Sequence, residues 1–161
     1  MEDIGGLQKY LDSLPAEEKI IRKKAFRSLI KGRSLSVSSI IESLDFSKGK
    51  VHKLIGCLSE KGVIVFDSEA QAVVGSGGLS LVPTPHQLQV EDKNLFAWCA
   101  ADAVGIPAAL GRDALIQSIC HTCQTPVEIS LKKGDLQTLS SEDLRVYVVE
   151  ADTDQSVAGH T

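Results

Sequence analysis

The feature that most constrains this chain is a change of hydrophobic period at Gly62. Before it, apolar residues recur at intervals of three and four. After it they fall into short β-type runs, interrupted by one helical stretch around Trp98. This order predicts an α+β fold: an N-terminal helical domain over residues 1–82, then a small mixed domain with antiparallel strands over 83–161. Pro83-Thr84-Pro85 marks the expected boundary.

The helical part reads in detail. Ile4 to Leu14 carries Leu7, Leu11 and Leu14 on one side, and Pro15 opens a second helix with Glu17 and Glu18 in its first turn. That helix, running to about Lys31, sets Ile20, Ile21, Phe26, Leu29 and Ile30 against a wet face of Arg22, Lys23, Lys24 and Arg27. A short capped helix follows over Ser36 to Leu44, then a turn, then a helix from Ser47 to Lys61 with Val51, Leu54, Ile55 and Leu58 inward and Cys57 at its inner edge. Two β-type runs, Val63 to Asp67 and Ala70 to Val74, complete the order of a winged helix-turn-helix. Ser47, Lys48, Lys50, His52 and Lys53 are its exposed candidates for phosphate contact, but no Arg or Asn pair marks base readout.

Charge divides at the same place. Residues 1–61 carry 12 Lys/Arg against 8 Asp/Glu, and residues 62–161 carry 5 against 13, which gives net charges of +4 and −8. The first value is modest for a nucleic-acid surface. No apolar run reaches membrane-spanning length, and MEDIGGLQKY lacks the basic and apolar blocks of a signal peptide, so a cytoplasmic protein without a membrane partner is expected. Four cysteines (Cys57, Cys99, Cys120 and Cys123) are too few for a disulfide scaffold and in a reducing compartment are thiols or ligands.

In the second part, Gly75-Ser76-Gly77-Gly78 reads as a flexible turn; it lacks the lysine and helix of a phosphate loop. Leu79 to Val82, His86 to Val90, Leu115 to Ile119 and Val127 to Leu131 read as strands, Leu136 to Leu144 as holding a helical turn, and Arg145 to Glu150 as a strand. Asn94 to Arg112 contains the only tryptophan, Trp98, beside Cys99 and three residues before Asp102. If Asn94 to Val104 is a helix, the thiol and the carboxylate share a face. A carboxylate within an apolar run is costly unless paired or used. Cys120 and Cys123 form a C-x-x-C turn, a spacing used for soft metals and for redox pairs.

The run Leu95-Phe96-Ala97-Trp98-Cys99-Ala100-Ala101-Asp102, followed by Pro107, Gly111-Arg112, Cys120 and Pro126-Val127, resembles the organomercurial (alkylmercury) lyase family. The resemblance implies that Cys99 takes up mercury and that Asp102 is the acid that protonates the departing carbon. It implies a small organomercurial substrate, mercury as substrate and product ion, no required cofactor, and an external thiol for product release, with a mercury-accepting thiol or reductase as partner. It also implies a helical domain that is not used on DNA. The family's second essential cysteine falls in a segment resembling Asp154 to Val157, where Ala158 occupies its place, so a shortened or altered member is expected. Cys123, with Cys120, is then the candidate replacement, and Cys99, Cys120 and Cys123 form the expected soft-metal set. Thiolates are the soft ligands that load electron density onto such a metal. Burial of Asp102 against Trp98 and alanines favours an acid that keeps its proton. The alternative is a non-catalytic thiol-based metal binder, or a metal-responsive winged-helix regulator that binds DNA.

Overall fold

A computed structural model describes residues 4–141 and 143–146. The elements in order are α1 (Ile4–Ser13), α2 (Ala16–Leu29), β1 (Leu35–Ser36), α3 (Val37–Leu44), α4 (Lys48–Glu60), β2 (Ile64–Asp67), β3 (Ala72–Ser76) and β4 (Leu79–Ser80). They continue with β5 (His86–Val90), β6 (Lys93–Ala97), α5 (Ala100–Ala109), β7 (Ala114–Ile119), β8 (Pro126–Lys132) and β9 (Asp135–Leu139). The fold is mixed α+β with antiparallel strand pairing, as the change of period predicts.

Local signals set the helix limits. Pro15 precedes α2 with its fixed φ and no N–H to lose. Ser36 and Ser47 cap α3 and α4, each hydroxyl accepting from the backbone N–H three residues on. The chain leaves α4 at Gly62 with φ +65°, a left-handed conformation suited to glycine.

One sheet runs through the molecule in the order β1-β3-β4-β6-β5-β7-β8-β9, with β2 also paired to β3. It carries two cores. Ile21, Ala25, Ile40, Val51, Ile55, Leu58 and Val73 belong to the first, between the N-terminal helices and β2–β3. Leu79, Leu88, Val90, Leu95, Ala103 and Ile116 belong to the second, between α5 and the β4–β7 region. Helix α2 serves both: Ile21 and Ala25 enter the first core and Leu29 enters the second. Glu18, 4% exposed, accepts from Lys61 at 2.6 Å and ties α2 to the end of α4.

Two expectations change. Leu136 to Leu144 begins as strand and not as helix: its start is β9, whose Leu136 to Leu139 pair with Ile129 to Leu131 of β8, and its one turn comes at the end, where Leu144 N–H donates to the Ser141 carbonyl at 3.4 Å. Hydrogen bonding to an open strand edge outweighs a weak local helical preference there. The expected helix from Asn94 instead begins at Ala100, because Lys93–Ala97 closes a hairpin with β5 in the register Leu88↔Leu95. Leu95 and Ala97 then alternate inward. The strand expected over Arg145 to Glu150 lies largely outside the described residues.

Leu58 is fully buried on α4. Leu58→Ala is expected to cost about 2–5 kcal/mol by lost transfer energy and a residual cavity. A lowered urea midpoint with an unchanged slope checks this.

Candidate functional site

Strand β6 delivers the chain to Trp98 and Cys99, and α5 begins immediately after. Cys99 is the N-cap of α5, in extended conformation, and not a residue within the helix. Its sulfur accepts from the Asp102 backbone N–H at 3.4 Å, as a capping serine oxygen does. The Cys99 Sγ in turn donates to Asp102 Oδ2 at 3.1 Å. The three-residue spacing therefore brings thiol and carboxyl together through a cap.

The β3–β4 turn packs against the same carboxyl. Gly77 and Gly78 form its two residues, both at positive φ, the pattern that tight hairpins prefer. A Cβ on Gly78 would stand 2.5 Å from Asp102 Cγ and Oδ1. Only glycine permits that approach. The Gly78 carbonyl also accepts from Trp98 N–H at 2.9 Å, tying the same turn to the residue before Cys99. Trp98 Nε1 is buried without a hydrogen-bond partner among the described residues, and a Cβ on Gly75 would lie 3.3 Å from it.

A third titratable side chain reaches this neighbourhood. His86 begins β5 opposite Ala97 of β6, on the same face as buried Leu88 and Val90 that α5 covers. Its Nδ1 lies 3.0 Å from Ser118 Oγ on β7. Thr84 Oγ1 accepts from His86 N–H and donates to the Ala97 carbonyl at 2.6 Å, which fixes the start of the strand beside the site.

Burial controls the electrostatics. Asp102 is held above the usual aspartate range chiefly by desolvation, against the opposing hydrogen bond from Cys99 and the charge of His86. The Cys99 thiol is also pushed up, first by burial and then by the Asp102 carboxylate, although the backbone N–H groups of Asp102 and Ala101 pull it down. Desolvation lowers His86, with Asp102 acting in the opposite sense. The result is a thiol hydrogen-bonded to a carboxyl in a half-buried place.

Cys120 and Cys123 lie in the exposed turn between β7 and β8. Cys120 N–H donates to Thr125 carbonyl at 3.0 Å, and Cys123 Sγ donates to Thr125 Oγ1 at 3.2 Å. Hydrogen bonds from Thr125, and then from Cys120, hold Cys123 below the ordinary thiol range. These two sulfurs therefore sit together. The three-cysteine set of Cys99, Cys120 and Cys123 is not gathered: among the described residues no group of three or more His, Cys, Asp or Glu side chains is placed to hold a metal ion. Its members come from a cap beneath the sheet's centre and from a solvent-facing turn, and the C-x-x-C hairpin pairs within itself. Ala158 lies outside the described residues. Among those described, no helix is long and apolar enough to cross a membrane.

Sequence reasoning missed Gly78, His86 and Ser118. The first is in a glycine-rich turn read only as flexible. The other two are joined by strand pairing that local sequence does not state. The Gly77-Gly78 pair between two apolar runs is a hairpin signal that could have located the turn, though not its contact with Asp102.

A family model for alkylmercury lyase matches residues 79–161, over half of the chain and containing Cys99 and Asp102. The alkylmercury lyase of Bacillus cereus is 32% identical over 136 residues, which are 84% of this chain and 62% of that protein. That of Streptomyces lividans is 30% identical over 129 residues, 80% of this chain and 58% of the relative. This chain thus spans less than two thirds of the length of these relatives. The crystal structure of the mercury-bound form of MerB2 superposes with a TM-score of 0.86 at 29% identity, covering 94% of this chain and 73% of that one. The likeness reaches from the helical half through the cap and hairpin that bear the thiol and the acid, and the chain belongs to the alkylmercury lyase family.

Proposed function

We propose that this chain cleaves carbon–mercury bonds of small organomercurials by protonolysis, with Cys99 as the mercury-binding thiol and Asp102 as the proton carrier. One observation carries the reading: the Cys99 sulfur donates to the Asp102 carboxyl at 3.1 Å in a half-buried pair. Family membership and the likeness to a mercury-bound relative support it. The reaction needs a soft nucleophile and a proton at one point, and this pair supplies both.

R–Hg⁺ replaces the Cys99 thiol proton, which passes to Asp102, and a Cys99 S–Hg–R bond forms. A second thiol from solution loses its proton to water, adds to mercury as the thiolate and weakens the carbon bond. Asp102 returns the proton to carbon, the Hg–C electron pair becomes the new C–H bond, and R–H departs. Mercury stays two-coordinate between sulfurs until another thiol or an accepting protein removes it. No resident cofactor takes part. Such thiol exchange belongs in a reducing cytoplasm.

Cys120 and Cys123 are assigned a separate role as a two-sulfur holder for a soft cation. The N-terminal helices and hairpin over 1–82 are assigned as a winged-helix-like module that serves the lyase domain of 83–161 as scaffold. Its Lys50 supports that role: it pairs with Glu17 of α2 and lies over the Phe46 ring, contacts within the module.

Release of methane or benzene from methyl- or phenylmercury in excess thiol tests the reading. Cys99→Ser is expected to abolish it, and Asp102→Asn to slow it by about 10²–10⁴, the usual worth of a positioned proton donor. Full activity in either variant removes the assignment. Gly78→Ala should displace the Asp102 carboxyl and lower kcat while far-UV circular dichroism stays native; an unchanged kcat would mean that the close approach is irrelevant to the reaction.

Thiol reactivity gives a second check. The thiolate is the nucleophile, Cys123 is held below the ordinary value, and Cys99 above it. At neutral pH iodoacetamide should therefore label Cys123 before Cys99, and Cys99 labelling should accelerate only as pH rises past the ordinary thiol range. Peptide mass spectrometry reads the order, and prior labelling of Cys99 contradicts the protonated pair.

A further inference from the structure

A second feature beside the reaction centre has no part in the scheme above. A cavity of about 240 Å³ lies between α2 and the β3–β4 turn, lined by Arg22, Lys23, Phe26, Arg27 and Gly77. Three of its five residues are cations, and none is acidic. All four side chains come from one face of α2, at positions one and four or five apart.

Arg22 is the unusual member. Its Nε is buried and has no hydrogen-bond partner among the described residues. A buried donor on a charged group is costly to leave unmade. The Asp12 carboxylate favours the charge of Arg22, but desolvation is the larger effect. The backbone anchors the residue: its carbonyl accepts from Ser76 Oγ at 3.2 Å. A Cβ on Gly77 would stand 3.0 Å from the Phe26 ring and 3.5 Å from Arg22 Nη1, so the bare turn is what leaves the guanidinium its space.

The position is informative. Gly77 lines the cavity and its neighbour Gly78 touches Asp102, so wall and carboxyl are separated by one peptide step and one van der Waals contact. A planar guanidinium with two further cations matches a carboxylate better than a neutral or cationic group. We propose that Arg22, Lys23, Arg27 and the Gly77 turn form a carboxylate-binding subsite that selects among the small molecules used at Cys99. The link to Cys99 rests on the proposed lyase reaction; the carboxylate site itself does not. The carboxylate can belong to the thiol that supplies the second sulfur or to the organic group on mercury.

Succinate is the probe for the site itself. Titrated into the ¹⁵N-labelled protein at constant ionic strength, it is expected to shift the Gly77 amide and the Arg22 Nε–H saturably. 1,4-Butanediol should not, and the shifts should be lost in Arg22→Gln and weakened in the exposed variant Lys23→Gln. Absence of a saturable shift, or the same shift in both variants, overturns the subsite. Should Arg22→Gln fail to fold, Lys23→Gln and Arg27→Gln decide alone.

Turnover then identifies the source. Faster turnover with 3-mercaptopropionate than with 2-mercaptoethanol, by roughly tenfold as expected for one charge-assisted contact, assigns the carboxylate to the thiol. A matching preference for 4-mercuribenzoate over phenylmercury assigns it to the substrate. Either preference should fall towards unity in Arg27→Gln. Succinate binding with turnover but neither preference overturns the link to Cys99. Succinate binding without any turnover overturns the lyase reading and leaves the carboxylate site standing.

Discussion

The contact between Asp102 and Gly78 is the constraint on which the site depends. A carboxyl cannot come this close to a backbone that bears a Cβ. The β3–β4 hairpin that presents Gly78 is continuous with the strands under the N-terminal helices, while Asp102 belongs to α5 on the other core. The acid is therefore positioned by both parts of the molecule at once. The Trp98 N–H to Gly78 carbonyl bond closes the same junction from the cysteine side.

The electrostatics of the pair run against the usual behaviour of a cysteine at a helix N-terminus. There, backbone N–H groups and the helix dipole lower the thiol pKa and expose a thiolate. Here the same N–H groups act on Cys99, but burial and the adjacent carboxylate outweigh them. Asp102 is likewise raised by burial against the pull of His86 and the Cys99 hydrogen bond. Burial thus raises both groups, and the Cys99 thiol donates to the Asp102 carboxyl across 3.1 Å. That arrangement is poor for a simple nucleophile. It suits a reaction in which a soft metal displaces the thiol proton and the same proton is needed on carbon one step later.

Much of this was legible in local sequence. Pro15, Ser36, Ser47 and Gly62 each name a helix limit through a specific backbone requirement, and the alternation in HQLQV names a strand with His86, Leu88 and Val90 on one face. The run from Leu95 to Asp102 carried the family. Its local geometry was less legible, because two periods overlap there. Leu95 and Ala97 satisfy a strand, whereas Ala100, Ala103 and Val104 satisfy a helix, and only pairing with β5 decides that the change falls at Cys99. The partners of the site, Gly78, His86 and Ser118, are set by strand order, which no local pattern states. Leu136 to Leu139 shows the same limit in reverse: an open edge on β8 imposed a strand on residues with little preference for one.

Helix α2 explains why a costly basic face stands beside the Cys99–Asp102 pair. Ile21, Ala25 and Leu29 must lie along one stripe to enter both cores, which leaves Arg22, Phe26 and Arg27 turned towards the β3–β4 hairpin. Packing would be served equally well by neutral residues there. Three cations within two turns repel one another, and the sheltered Nε of Arg22 goes without a protein partner. Glu18, four residues before Arg22 on α2, does not offset them, since it is already committed to Lys61 across the first core. The fold thus gathers three cations where its two halves meet and where the turn against Asp102 begins, with Asp12 favouring the charge of Arg22 alone. That structural cost stands beside the Cys99–Asp102 pair, where the proposed carboxylate subsite would use it.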